Sequence, residues 1–152
     1  MDASLQHSDE RTGAGRAETR AGRGDSARAV SILYVEWAQT VADAVKETLE
    51  AKGWRVEVCV RGDEALRRLQ GEDCFDLLLF DFSLPGMNGV ELARRARGLP
   101  SAGRTPIVMF TACEVEREAR RAGVDAFLRK PRGVFRLAET VARLLARPEA
   151  EV

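Results

Sequence analysis

The chain has 152 residues, 45% of them hydrophobic and 32% charged, which is typical of one globular domain with an ordinary apolar core. Its 24 basic and 24 acidic residues give no net charge, so this balance offers no argument for a nucleic acid or an anionic membrane as partner. No apolar stretch approaches the length of a membrane span, and the N-terminus lacks the apolar core of a signal peptide, so we expect a cytoplasmic protein.

Histidine and cysteine are scarce. The single histidine, His7, lies in the first ten residues, so a folded domain further along offers no histidine as base, metal ligand or phosphoryl carrier. Cys59, Cys74 and Cys113 are not spaced as a metal knuckle. We expect these thiols to be small core residues in a reducing compartment.

The first 29 residues differ in composition from the rest. They contain five arginines, five acidic residues and four glycines but almost no large apolar side chains. Such a segment cannot bury enough surface to offset the entropy of ordering it, so residues 1–29 are predicted to be a disordered tail. The folded domain is predicted at residues 30–148, followed by a short tail at 149–152.

From Val30 onward, short apolar runs alternate with helical patterns. The predicted strands lie at residues 31–35, 56–58, 77–80, 106–110 and 125–128. Each is followed by a predicted helix, and the last helix has an apolar stripe formed by Val134, Leu137, Ala138, Val141, Leu144 and Leu145. This order predicts a three-layer α/β sandwich with a five-stranded parallel sheet and right-handed crossovers. Periodicity alone does not give the strand order.

Four polar residues lie just after the ends of predicted strands, within two positions: Glu36, Asp81, Thr111 and Lys130. The carboxyl ends of parallel strands share one edge of the sheet, where open α/β folds bind their ligands. Two carboxylates, a hydroxyl and an ammonium suit phosphoryl chemistry. One carboxylate serves as nucleophile, both help to hold Mg²⁺, and the other two groups bind the transferred oxygens. Each residue alone has a plain structural explanation as a strand end, a helix cap or a solvated charge.

The chain from Ser31 to about Arg147 resembles a bacterial two-component response-regulator receiver domain (CheY-like), the module that sensor histidine kinases phosphorylate. Four motifs carry the resemblance: Ile32-Leu33-Tyr34-Val35-Glu36, Leu78-Leu79-Phe80-Asp81-Phe82-Ser83-Leu84-Pro85-Gly86-Met87-Asn88-Gly89, Ile107-Val108-Met109-Phe110-Thr111-Ala112 and Phe127-Leu128-Arg129-Lys130-Pro131. The resemblance implies the flavodoxin-like strand order 2-1-3-4-5.

The same resemblance implies the roles of the site residues. Asp81 corresponds to the phosphoacceptor, and Thr111 and Lys130 to the phosphate-sensing pair. Phe127 falls where the family places its switch aromatic, although by sequence it is simply a buried strand residue. The implied cofactor is Mg²⁺, held by Glu36, Asp81 and the backbone carbonyl of Ser83.

The chain departs from the family pattern in two places. Receivers carry two adjacent acidic residues after the first strand, whereas here Trp37 follows Glu36. An indole has no oxygen to ligate a hard cation, so Mg²⁺ binding is predicted to be weakened. Thr111 and Lys130 are only 19 positions apart. This spacing is shorter than the family pattern, and the missing residues fall in the fourth strand–helix loop or its helix.

Two functional hypotheses follow. In the first, the chain is a stand-alone receiver that takes a phosphoryl group on Asp81 from a sensor histidine kinase or phosphotransfer protein. It has no enzymatic activity of its own and contacts a downstream protein target, with neither a DNA-binding domain nor a membrane segment. In the alternative, it is a degenerate receiver that binds proteins independently of phosphorylation because Trp37 replaces an acidic ligand.

Two other classes are disfavoured. An aspartyl phosphatase needs a general acid shortly after its nucleophile, but Ser83 stands two residues after Asp81 and no acidic residue occurs before Glu91. A nucleotide-binding flavodoxin-like protein needs a glycine-rich phosphate loop after the first strand, and none is present.

Overall fold

The computed structural model describes residues 28–147, so all but the end of the predicted N-terminal tail, and the whole predicted C-terminal tail, lie outside the described residues. Ten elements alternate along this part of the chain. The strands are β1 (Ser31–Val35), β2 (Arg55–Cys59), β3 (Leu77–Phe80), β4 (Ile107–Thr111) and β5 (Ala126–Arg129). The helices are α1 (Gln39–Glu50), α2 (Gly62–Gln70), α3 (Gly89–Arg97), α4 (Glu116–Arg121) and α5 (Val134–Leu145).

The strands form one parallel sheet in the order β2-β1-β3-β4-β5, which confirms the predicted fold class and strand order. Its register aligns the strand ends. Val35 pairs with Phe80, and Thr111 pairs with Arg129. The residues that follow β1 and β3 therefore lie side by side at one edge, and the residue that follows β5 lies next to the end of β4.

Both faces of the sheet are buried under helices, which explains why its inner strands are apolar without alternation. On one face, Leu33, Val35, Leu78 and Phe80 pack with the apolar residues of α2, α3 and α4. On the other face, Ile32, Tyr34, Leu77 and Leu79 pack with those of α1 and α5. Burial on both faces makes the sheet a rigid base for the loops at its carboxyl edge.

Two burial predictions were wrong in part. Only Cys59 is buried, whereas Cys74 is exposed and Cys113 is half-buried. The latter two lie in the α2–β3 and β4–α4 loops, at the rim of the fold rather than beneath a helix. Phe127 is also only half-buried. It packs on the face that α4 covers, and α4 has just six residues, so little of the edge strand is shielded there.

Arg97 ties together the opposite edge of the sheet. Its guanidinium donates to the carbonyl oxygens of Thr105 (2.7 Å) and Gly123 (2.8 Å) and to Oδ2 of Asp125 (2.8 Å). Asp125 in turn accepts the backbone N–H of Ile107 at 2.9 Å. One side chain thus joins the end of α3 to the segments that lead into β4 and β5.

Candidate functional site

The Asp81 side chain is fixed at the end of β3. Its backbone N–H donates to the Val35 carbonyl at 3.0 Å, which continues the β1–β3 ladder by one residue. Its side chain is only 7% exposed. Oδ1 accepts the N–H of Phe82 at 2.7 Å, and Oδ2 accepts from the Lys130 ammonium at 3.2 Å. Both oxygens are therefore oriented by donors of the chain.

Gly89 allows the loop after Asp81 to close tightly. Its N–H donates to the Phe82 carbonyl at 2.9 Å. A Cβ at this position would lie 2.1 Å from the backbone oxygen of Asp81, closer than any side chain permits. The preceding Asn88 caps α3 by accepting the N–H of Glu91 at 2.8 Å. A glycine after a capping asparagine thus brings the first turn of α3 against the end of β3.

Lys130 joins the two carboxylates of the site. Its backbone N–H donates to the Thr111 carbonyl at 2.9 Å, which extends the pairing of β5 with β4. Its ammonium lies 2.8 Å from Oε1 of Glu36 and 3.2 Å from Oδ2 of Asp81. It also lies 5.6 Å from the centre of the Phe110 ring, within the range of a cation–π contact. Burial alone would lower the pKa of Lys130, but the two carboxylates outweigh it and raise that pKa.

Glu36 is more deeply buried than Asp81, with 1% of its surface exposed. Besides the ammonium of Lys130, its carboxylate accepts the hydroxyl of Tyr34 at 3.3 Å and the N–H of Ala38 at 3.2 Å. Burial raises the pKa of Glu36, and the charge of Asp81 acts in the same direction, while Lys130 and the Ala38 N–H oppose them. Glu36 is thus an acid that depends on its donors to stay ionised.

The other predicted site residues lie around this cluster. Thr111 is fully buried, and its hydroxyl accepts the N–H of Cys113 at 3.3 Å, which shapes the start of the β4–α4 loop. Ser83 is exposed, and its Oγ lies 3.5 Å from Sγ of Cys113, so the loops after β3 and β4 touch. Phe127 lies on β5 opposite Met109. The structure therefore joins Glu36, Asp81 and Lys130 directly and places the other residues in adjoining positions.

Trp37 lies at the mouth of the site, as its position beside Glu36 predicted. Its side chain is 57% exposed. The indole lines a shallow hollow together with Ser83, Leu84 and Pro85. An apolar ring therefore borders the loop whose carbonyl the family resemblance assigns to the metal.

The oxygen ligands of the site are of the kind that magnesium uses. Between residues 28 and 147, no group of three or more acidic, histidine or cysteine side chains is assembled as a metal centre. Magnesium nevertheless commonly uses only one or two carboxylates, together with waters and phosphate oxygens. Glu36 and Asp81 approach a single cation already, since both contact the Lys130 ammonium. These two carboxylates and the Ser83 carbonyl are the groups that would hold the ion, and Trp37 adds no ligand.

Two contacts of the site went unnoticed in the sequence. Tyr34 reaches Glu36, and the Phe110 ring lies near the Lys130 ammonium. The sequence does indicate the contact of Tyr34 with Glu36, because residues i and i+2 of a strand point to the same face. The second depends on how a lysine crosses the sheet edge, which no local pattern reveals.

Residues 32–142 match the family model of the response regulator receiver domain. This chain belongs to that family. Over 124 residues the receiver is 40% identical to the phosphate regulon transcriptional regulatory protein PhoB of Rhizobium meliloti, an alignment that covers 80% of this chain and 54% of that protein. The chain thus matches only about half the length of this relative.

Solved receiver structures share the fold. The chemotaxis response regulator CheY4 of Vibrio cholerae superposes with a TM-score of 0.71 at 29% identity, covering 77% of this chain and 99% of that one. The receiver domain of the sensor histidine kinase PA1611 of Pseudomonas aeruginosa gives a TM-score of 0.68 at 28% identity, covering 79% of this chain and 100% of that one. The latter structure is described with a magnesium ion coordinated in its active-site cleft.

Proposed function

We propose that this receiver accepts a phosphoryl group on the carboxylate of Asp81. The observation that carries the proposal is the arrangement of Asp81, Lys130 and Glu36, with a single ammonium 2.8 Å from one carboxylate and 3.2 Å from the other. An Asp81 oxygen attacks phosphorus and forms the acyl–phosphate bond. The bond between phosphorus and the donor breaks, and its electron pair leaves with the donor.

The remaining groups compensate the negative charge of the carboxylates and of the phosphoryl oxygens. Lys130 neutralises the two carboxylates before transfer and then binds oxygens of the phosphoryl group. Mg²⁺, when held by Glu36, Asp81 and the Ser83 carbonyl, would supply positive charge to the transferred oxygens. Because Trp37 provides no oxygen in place of a second acidic residue, we expect a higher Mg²⁺ requirement than two adjacent acids would give.

We expect signalling to follow from a change in the groups that the Lys130 ammonium contacts. A phosphoryl group on Asp81 competes with Glu36 for the ammonium, and Thr111, whose carbonyl accepts the Lys130 N–H at 2.9 Å, would be the second sensing group. The change shifts a pre-existing equilibrium of the β4–α4 loop and Phe127 rather than creating a new fold. The half-buried position of Phe127 supports this role, since the residue is already partly accessible.

Receivers in general interact with histidine kinases or phosphotransfer proteins, and we propose such a protein as the phosphodonor here. The output surface would be the face made by α4, β5 and α5, where Phe135 is 86% exposed. None of the helices between residues 28 and 147 is long and apolar enough to cross a membrane. In this role the chain is a signalling module that contacts a downstream protein target and has no catalytic turnover of its own.

A second candidate function is a phosphorylation-independent binding module. Trp37 favours it, because the indole replaces a ligand and adds an exposed apolar surface beside the site. In this reading, the Lys130 ion pairs serve only to stabilise the fold.

One titration separates the two functions. Mg²⁺ is added first, followed by beryllofluoride or acetyl phosphate, while the fluorescence of the two tryptophans, Trp37 and Trp54, is recorded. We expect a saturable Mg²⁺-dependent change in the wild-type chain that is absent from Asp81→Asn and weaker in Trp37→Phe, whereas Trp54→Phe retains it. A folded wild-type protein without any response would leave the binding module as the function.

A further inference from the structure

The hydroxyl of Tyr34 is a polar group in an apolar setting. Tyr34 is fully buried on the sheet face that packs against α1 and α5. Its hydroxyl donates to Oε1 of Glu36 at 3.3 Å. A buried hydroxyl costs free energy unless it is hydrogen-bonded, and Glu36 lies two residues further along the same strand face. The geometry therefore couples this tyrosine to the acid of the site.

Glu36 depends on a small number of donors. Among the donors of residues 28–147, Oε1 accepts from Lys130 and Tyr34, while Oε2 accepts only the N–H of Ala38. A carboxylate has about four acceptor positions, so the remaining position of Glu36 is on Oε2. Lys130 is shared with Asp81 and has to move when a phosphoryl group arrives. Tyr34 is the side-chain donor that can stay in place throughout.

We propose that Tyr34 is a positioning residue for phosphoryl transfer. Its hydroxyl fixes the orientation of the Glu36 carboxylate, so that one oxygen remains available to a divalent cation when Lys130 turns toward the phosphoryl group. The proposed role in transfer rests on the proposed function of Asp81, whereas the coupling of Tyr34 to Glu36 does not. Trp37 makes this role more important, because Glu36 is the acidic residue left at the end of β1.

The first test uses the metal-free full-length chain. The unfolding equilibrium is measured in urea for the wild type, Tyr34→Phe, Glu36→Leu, which offers the hydroxyl no acceptor, and the double variant. A hydrogen bond between the two side chains predicts that the unfolding constant changes about fivefold to tenfold less for Tyr34→Phe in the Glu36→Leu background. Equal effects in both backgrounds would overturn the proposal, because the phenol would then act by packing alone.

The second test measures the cation. Mg²⁺ binding is followed by Trp37 fluorescence, and the phosphorylation rate with acetyl phosphate is measured at several Mg²⁺ concentrations. Tyr34→Phe is expected to raise the half-saturating Mg²⁺ concentration about fivefold to tenfold and to leave the rate at saturating Mg²⁺ much less affected. Thr140→Val is the matched control, since it removes another buried hydroxyl, on α5 and away from the four strand ends of the site.

The outcomes are distinct. A wild-type response to Mg²⁺ and acetyl phosphate that Tyr34→Phe does not alter would overturn the positioning role while leaving the function of Asp81 intact. A wild-type chain that does not respond at all would contradict the function of Asp81 and, with it, any role in transfer. The metal-free cycle would still decide whether Tyr34 and Glu36 are coupled.

Discussion

Lys130 is the residue whose positive charge compensates the two carboxylates of the site. It contacts two carboxylates, both nearly inaccessible to water, and the Phe110 ring lies close by. Removing one partner from a buried ionic cluster leaves the others uncompensated, which costs far more than the intact pair contributes. Lys130→Ala is therefore expected to lower the free energy of unfolding by about 2–4 kcal/mol, measured by urea unfolding at pH 7.

The same substitution in an Asp81→Asn background provides the control. With one carboxylate already neutral, the loss from Lys130→Ala should be clearly smaller. A loss below about 1 kcal/mol in the wild-type background would contradict the ionic cluster, because exposed ion pairs contribute up to about that much.

Trp37 offers a gain-of-function test at the same scale. Its side chain is mostly exposed, so replacing it removes little core packing. Trp37→Asp supplies a second carboxylate beside Glu36 and is expected to lower the half-saturating Mg²⁺ concentration about tenfold or more, equivalent to roughly 1.4 kcal/mol or more. Calorimetric titration measures the change without the indole reporter. Trp37→Asn, which has the same shape as the aspartate but no charge, should recover much less, and equal affinities for the two variants would contradict a requirement for negative charge at this position.

Arg97 joins α3 to the segments that precede β4 and β5, at the edge of the sheet away from the site. Its guanidinium bonds to the segments before β4 and β5 through a planar set of donors that a lysine cannot reproduce. Arg97→Lys is expected to lower the free energy of unfolding by about 2–3 kcal/mol through lost hydrogen bonds to the carbonyl oxygens and to Asp125. The Mg²⁺ response should remain unchanged, since the site lies at the other edge.

Arg94→Lys is the natural comparison, because Arg94 lies on the same helix and forms an exposed ion pair with Glu91. It should cost less than about 0.5 kcal/mol. Similar losses for the two variants would show that the bonds to the loops are not what makes Arg97 stabilising.

Alkaline pH is predicted to destabilise the whole molecule through Tyr34 and Lys130. Burial, and then the charge of Glu36, raises the pKa of Tyr34, and the two carboxylates raise the pKa of Lys130. Both groups are protonated at neutral pH in either state. Above about pH 10 the unfolded chain loses these protons first, so it binds fewer protons than the folded chain and stability falls as pH rises.

Tyr34 is the single tyrosine of the chain, which makes this measurable. Tyrosinate absorbance should appear together with loss of circular dichroism, not before it. In Tyr34→Phe the decline of the urea midpoint between about pH 9 and pH 11 should be shallower. Ionisation of tyrosine in the folded chain would disprove the effect of burial.

The sequence predicted the fold more completely than the details of the site. Apolar runs that end in Glu36, Asp81, Thr111 and Lys130 indicate a shared sheet edge because parallel strands run in one direction. Strand order required the family resemblance, since periodicity contains no information about which strands are neighbours. The exposure of Cys74 and Cys113 was missed because burial in loops depends on tertiary packing rather than on hydrophobicity.

The two outer strands of the sheet affect how the molecule can assemble. β2 and β5 lie at its margins, and each carries charged side chains: Arg55 and Glu57 on β2, and Arg129 on β5. Charges at such positions oppose the addition of a strand from another molecule. Self-association at high concentration should therefore use helical surfaces, leave the sheet at five strands per molecule, and reverse on dilution.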